Sequence, residues 1–259
     1  MNARIEEPCV FLAWDSEFFG QRIGRVSGGT LSQEGLRKIE AWARAKAVRC
    51  LYFLACPDDD LTVSLAESAG FHLVDIRLEF VWKPGRSEAA SPEPPACIRL
   101  GTPEDTEALV SIARGSYSLS RFCVDPHFGS ARSQDLYCEW IRKSLRGFAD
   151  AVLVADGPNG VQGFITCSCE ADKGVIGLVG VAENARGLGV GSVLIQAAKA
   201  YFVRERACSE ARVVTQARNV SAQRLYQKEG FRTASVGLWF HKWFEEEGHG
   251  DSGSHTNTL

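Results

Sequence analysis

Apolar residues recur along this chain with two periods. Leu36, Ile39, Ala43 and Ala47 follow helical spacing and predict a helix over residues 31–48. Residues 51–55 are a short continuous apolar run, as buried strands are, and the apolar residues 10–14 lead into Asp15 to Gly20. The acidic turn 57–60 then leads into a helix that stops at Gly70 and Phe71, and residues 76–82 read as a strand. Further on, residues 98–100 read as a strand. Thr102, Pro103, Glu104 and Asp105 supply an N-cap, a proline and an acidic first turn for a helix ending near Gly115. Residues 116–128 are irregular, and 137–142 are helical. Residues 151–155 and 161–169 form a hairpin across a Gly-Pro-Asn-Gly turn. Residues 175–181, apolar and β-branched, read as a buried strand. Val190, Val193, Leu194, Ala197, Ala198, Tyr201 and Phe202 then share a helix face. A strand over 211–216 and a helix from Asn219 to Gly230 complete the pattern. The order is α/β, with a mixed sheet.

The stretches 83–96 and 245–259 break this pattern. The first holds Pro92, Pro94 and Pro95 among Ser and Glu and reads as an exposed linker. The second is Gly, Ser, His and acid, with little to bury, and reads as a disordered tail. They divide the chain into a first domain, residues 1–82, and a second, residues 97–244. An offset alignment also brings the end of the first domain onto the second. With Gly70-Phe71 laid on Gly230-Phe231, the strand 51–55 falls on 211–215 and Leu65 on Leu225. Asp59 then falls on Asn219 and Ala66 on Tyr226.

Composition narrows the function. Of 259 residues, 45% are hydrophobic and 24% charged, as in a globular protein, and the net charge is −3. Neither nucleic acid nor a membrane surface is the expected partner. No apolar run is long enough to span a bilayer, and no secretory leader is visible, so the expected location is cytoplasmic. The nine cysteines contain no C-x-x-C pair, although Cys167 and Cys169 share one strand face. Reduced, mostly buried thiols are expected, with no metal site.

The chemistry concentrates between Gly174 and Phe231. A glycine turn opening into a helix aims several backbone N–H groups and the positive end of a helix dipole at one point. That is a site for a diphosphate, although a plain strand-to-helix turn has the same form. The glycines here are Gly187, Gly189 and Gly191, followed by Leu194. They fit neither G-x-x-x-x-G-K-[ST] nor G-x-G-x-x-G. They fit R-x-x-G-x-G, through Arg186, Gly189 and Gly191. Asn219, Ala222 and Tyr226 then lie on one helical face, with Gly230 as a terminator and Phe231 opening the next strand.

These two motifs, in this order, resemble the GCN5-related N-acetyltransferases. The resemblance implies that fold over 97–244, with the smaller domain before it as a truncated acetyltransferase-like copy unable to bind the coenzyme. It implies acetyl-CoA as co-substrate. Val179, Gly180 and Val181 would pair with its pantetheine. Arg186, Gly187, Leu188, Gly189, Val190, Gly191 and Ser192 would hold its pyrophosphate, with Asn219 and Ala222 beside it. Tyr226 matches the family's general acid, and a backbone N–H near Val181 would serve the oxyanion. Trp14 to Gly20 with Ile23 and Gly24, Ser120-Arg121-Phe122 with Asp125, Pro126 and Phe128, and Val214-Thr215-Gln216 with Asn219 are similar to the dTDP-fucosamine acetyltransferases. Those enzymes acetylate dTDP-4-amino-4,6-dideoxygalactose for enterobacterial common antigen. The acceptor implied is thus a nucleotide sugar, met by Arg121, Phe122 and Gln216. Arg121 could equally be a solvated loop arginine. Glu79, Glu170 and Glu183 qualify as bases by charge alone, and none is assigned. Rival readings are an acetyltransferase for another amine, such as a protein N-terminus or another amino sugar, and a non-catalytic acyl-CoA-binding protein. A closing strand at residues 236–243, if exposed, offers an edge for a homodimer.

Overall fold

The computed structural model describes residues 7–85, 97–158 and 160–245. The expected linker and tail fall almost wholly outside them. Two compact units emerge, one of Met1–His72 with Phe240–Leu259 and one of Leu73–Trp239. The sequence places its divisions at 82 and 97 instead.

In the first unit, β1 (Cys9–Phe11) pairs antiparallel with β2 (Ile23–Val26), which runs parallel to β3 (Cys50–Ala55). The apolar run over 10–14 holds strand only as far as Phe11. Ala13–Phe19 forms helix α1 instead, closed by Gly20 at φ 65°, with Trp14 stacked on Phe18. Helix α2 (Gln33–Ala45) starts where the Ser32 hydroxyl accepts the Gly35 amide, and it buries Ile39 and Ala43. Helix α3 (Asp60–Ser68) is capped by Asp59, whose carboxylate accepts from the Thr62 amide and hydroxyl. The core stacks Phe53 on Phe240 and sets it edge-on to Phe71. Each such buried ring contributes roughly 1.5–3 kcal/mol.

The second unit carries the rest. Its strands are β4 (His72–Trp82, from Leu73), β5 (Ile98–Leu100), β6 (Ala151–Gly157), β7 (Gly160–Glu170), β8 (Lys173–Val181), β9 (Glu210–Gln216) and β10 (Arg232–Trp243, as far as Trp239). They lie in the order β10-β4-β9-β8-β7-β6-β5. Antiparallel pairs join β4 to β9 and run from β8 to β5, whereas β8 and β9 are parallel. A parallel pair needs a crossover, and α7 (Val190–Arg204) supplies it. Its Leu194, Ile195, Ala198 and Phe202 enter one core with Ile165, Cys167 and Ile176. The remaining helices are α4 (Thr106–Arg114), α5 (Arg121–Val124), α6 (Ser130–Lys143) and α8 (Val220–Lys228). The mixed α/β sheet matches the expected class.

β10 is shared by the two units. Within the second unit it neighbours β4, and within the first its last residues neighbour β3.

The internal repeat is visible in the element bounds. β3, α3 and β4 begin at 50, 60 and 72, while β9, α8 and β10 begin at 210, 220 and 232. Asp59 and Asn219 each accept the amide three residues on. Gly70 and Gly230 both take the left-handed conformation, at φ 77° and 84°. The Phe71 and Phe231 amides reach back to Ala66 and Tyr226 carbonyls, both at 2.9 Å.

Candidate active site

β8 and β9 begin as partners and then part. Pairing covers Lys173 to Ile176 against Glu210 to Val213, while β8 runs on to Val181 and β9 to Gln216. The parting coincides with a bulge on the other side of β8. Ile165 faces Val179 but Cys167 faces Ile176, so β8 holds one residue more than β7 there. The Thr166 hydroxyl fills the bulge and accepts the Leu178 amide at 2.8 Å. A cleft of about 710 Å³ occupies the opened space.

The ladder dictates what β8 presents to this cleft. The Ala182 amide donates to the Gln162 carbonyl at 2.8 Å. Backbone groups alternate sides along an antiparallel pair, so Ala182 and Gly180 turn theirs toward β7. Val179 and Val181 turn theirs the other way, where β9 has departed. The carbonyls agree with this. Val179 accepts from the Tyr117 hydroxyl at 3.0 Å, and Val181 from Arg186 Nε at 3.3 Å. Gly180 therefore offers the cleft nothing, and a Cβ there would meet the Phe164 ring.

The loop forms the second wall. Gly187 and Gly189 stand at φ 79° and 87°, where side chains are strained. These turns deliver the chain to α7, whose N-cap is Gly189 and carries no side chain to cap it. The first-turn amides of Val190, Gly191 and Ser192 have no partner within the helix and face an anion-binding position. All three residues line the cleft, as do Arg186, Gly187, Asn219, Ala222 and Gln216. Leu188 does not, being 71% exposed. The Arg186 guanidinium is spent on the carbonyls of Val181 and Gly115, so it pins the loop. The Asn219 side chain accepts the Ala222 amide at 3.2 Å and so caps α8.

Tyr226 projects from α8 into the same cleft, 5% exposed, its ring against Phe80 and Phe231. Burial holds its phenol well above the ordinary tyrosine range, so it stays protonated. Opposite lie Tyr117, Tyr137 and Trp140. Tyr117 stacks on Tyr137 with centroids 4.2 Å apart, and Tyr137 meets Trp140 edge-on. The sequence reading missed these three, along with Arg224 and Lys228, which also line the cleft. Tyr137, Trp140, Arg224 and Lys228 sit on helices whose facing the sequence does not show, and Tyr117 sits in the irregular connection after α4. No carboxylate is among the described lining residues, so Glu79, Glu170 and Glu183 are not bases by position. Glu79 is held by Arg77, Arg212 and the Ser235 hydroxyl. A cleft with three cations and an uncapped helix start fits a coenzyme bearing phosphates.

Arg121 and Phe122 behave differently from each other. Phe122 is 3% exposed and packs on Phe128, so its ring supports Arg121 and does not reach a ligand. The Arg121 guanidinium lies between the Phe122 and Trp239 rings, at 4.1 and 4.3 Å. Nearby, Asp75 of β4 is 5% exposed, with Arg218 Nε 3.9 Å away. Burial raises its carboxyl to about 6, against the pull of the Ile76 amide, Arg218 and Arg121. Among the described residues, no cluster of three or more His, Cys, Asp or Glu could hold a metal, and no helix is long and apolar enough to cross a membrane.

Comparison with known proteins adds the following. Residues 149–233 match the family model of the acetyltransferase (GNAT) domain. A spore coat polysaccharide biosynthesis protein, SpsD, of Bacillus subtilis is 30% identical over 154 residues, 58% of this chain and 52% of the relative. The chain thus spans about half the length of that curated relative. A functionally unknown conserved protein of Staphylococcus epidermidis superposes with a TM-score of 0.67 at 15% identity, covering 93% of this chain and 94% of that one. A GCN5-related N-acetyltransferase of Sphaerobacter thermophilus gives 0.62 at 19% identity, over 91% and 76%. The fold is that of these two solved structures, and residues 149–233 match the acetyltransferase (GNAT) domain, whose fold uses acetyl-CoA.

Proposed function

We propose that the whole chain is an N-acetyltransferase moving the acetyl group of acetyl-CoA to the 4-amino group of a dTDP-4-amino-4,6-dideoxyhexose. The observation that carries this reading is the parting of β8 from β9 beside an uncapped helix start, with Tyr226 in the opened cleft. The first-turn amides of α7 would hold the pyrophosphate, and the amides of Val179 and Val181 the pantetheine and acetyl oxygen. Holding both reactants in one cleft supplies rate through orientation. Tyr226 keeps its proton at Oη. A free phenol titrates near 10 and a thiol near 8.5, so complete donation is uphill and a hydrogen bond to the developing thiolate carries much of its effect. The cleft lacks a carboxylate, so the amine proton leaves through water. The likeness to a polysaccharide biosynthesis protein supports a sugar-linked amine. Arg121 and Gln216 are the proposed acceptor contacts, with the Tyr117–Tyr137–Trp140 wall beside them.

The test is CoA release from acetyl-CoA with dTDP-4-amino-4,6-dideoxygalactose, wild type against Tyr226→Phe. Turnover that falls roughly 100-fold or more in the variant, with acetyl-CoA still bound, is the expected result. Equal turnover would remove Tyr226 from the mechanism. Wild type that binds acetyl-CoA but leaves this sugar untouched would overturn the acceptor.

A further inference from the structure

At the end of the second unit where β8 and β9 still pair, two thiols face each other. Cys169 Sγ, near the end of β7, lies 3.6 Å from Cys208 Sγ, in the connection between α7 and β9. The two differ in setting. Cys208 is 5% exposed, and its amide is tied to the Phe202 carbonyl at 2.8 Å. Cys169 is half-buried and reachable from solvent.

A cation attends the exposed sulfur. Arg206, two residues before Cys208, interacts electrostatically with Cys169. It is held there by the Asp150 carboxylate, which takes Arg206 at 3.4 Å and the Cys169 amide at 2.6 Å. The thiolate is the nucleophile in disulfide exchange, and Cys169 is the sulfur of this pair that a small disulfide can reach. Burial and then the facing Cys169 push the Cys208 thiol up to about 11, so the two sulfurs have unequal roles. Cys167, two residues back, is fully buried and its thiol is raised further by burial, which makes it inert.

We propose that Cys169 and Cys208 form a reversible dithiol site that exchanges with low-molecular-weight disulfides, Cys169 attacking and Cys208 resolving. In the first step the Cys169 thiolate bonds to one sulfur of the small disulfide, whose S–S bond breaks and releases one small thiolate. In the second, Cys208 loses its proton to water and attacks the Cys169 sulfur, expelling the other small thiolate. Two protein thiols are oxidised and one small disulfide is reduced to two thiols. The sulfurs must close from 3.6 Å to about 2.05 Å, a movement that the short connection after α7 can supply. The bond would tie β7 to that connection, at the root of the opening between β8 and β9.

The experiment uses the full chain, reduced and then incubated with glutathione disulfide. Intact mass and peptide mapping after alkylation read the product. The expected result is loss of two hydrogens, a mapped Cys169–Cys208 link, reversal by dithiothreitol, and a Tm higher by roughly 5 °C or more. The Cys208→Ser variant should stall with one glutathione on Cys169. Both thiols staying alkylatable, or glutathione settling on other cysteines without that link, would overturn the proposal. The wild-type mapping decides the matter even if the variant does not fold.

Discussion

The segment β3–α3–β4 and the segment β9–α8–β10 are built to one plan, yet one stands beside a filled space and the other beside an open one. In the first, the Thr62 hydroxyl accepts the Leu31 amide at 2.7 Å, and Ser32 caps the helix that follows. The space there is about 280 Å³ and is lined by the Asp59 carboxylate. In the second, Ala222 stands where Thr62 does, glycine stands at the cap, and the space is about 710 Å³. β2 ends at Val26, one residue past its pairing with β3, whereas β8 runs five residues past Ile176. Capping and closure satisfy amides, and an anion site is made by leaving them unsatisfied. The scaffold is shared, and the two copies differ in a handful of residues around the space beside each.

The severest way to break the comparison is to separate the copies. Removing residues 1–96 takes β4 from β9, which loses six paired residues from Arg77 to Trp82. The expected outcome is a chain without a cooperative melt, checked by calorimetry; a clean two-state transition at the full-length Tm would refute it. Next is Gly189→Asp, which gives α7 a capping carboxylate like that of Asp59 on α3. Acetyl-CoA affinity should fall roughly 100-fold, about 3 kcal/mol, by titration calorimetry, while the fold is kept. Thr62→Val leaves the buried Leu31 amide without an acceptor and should destabilise by about 1–3 kcal/mol in urea, with coenzyme affinity unchanged.

The smallest effect sharpens the contrast between the two closing strands. Asp75 is buried, while its counterpart Ser235 is exposed. The folded Asp75 carboxyl titrates near 6, above its unfolded value near 3.9. The native state therefore holds this proton more tightly, and the contribution to stability is lost as pH rises from about 4 through 6. Asp75→Asn should gain on wild type over that window, by up to about 2 kcal/mol in urea melts. A difference that does not vary with pH would count against it.

Much of this site was legible in the chain because it depends on local spacing. Gly187, Gly189 and Gly191, and the face shared by Asn219, Ala222 and Tyr226, follow from turn and helix geometry alone. So does the offset that places Asp59 on Asn219. What escaped depends on register or facing between distant segments. Thr166 is one hydroxyl in an apolar strand, and only its pairing shows that it fills a bulge. Tyr117, in the connection after α4, meets Tyr137 of α6. Phe122 is expected as an acceptor contact, but it is buried, and burial cannot be read from a single aromatic. The strand at 72–82 was assigned to the first half by proximity in sequence, but its partner is β9.

That exchange of closing strands has a consequence for how the molecule comes into being. Phe53 finds its stacking partner only at Phe240. A nascent chain leaving the ribosome therefore holds an unfinished first unit until Phe240 has been translated, and β4 waits for β9 at 210–216. Such long-range pairing is slow, and exposed strands invite misassembly meanwhile. The early helices α2 and α3, with the Ser32 and Asp59 caps and the Thr62 bond to Leu31, are the local structure available to hold the first unit's apolar surface together during that wait.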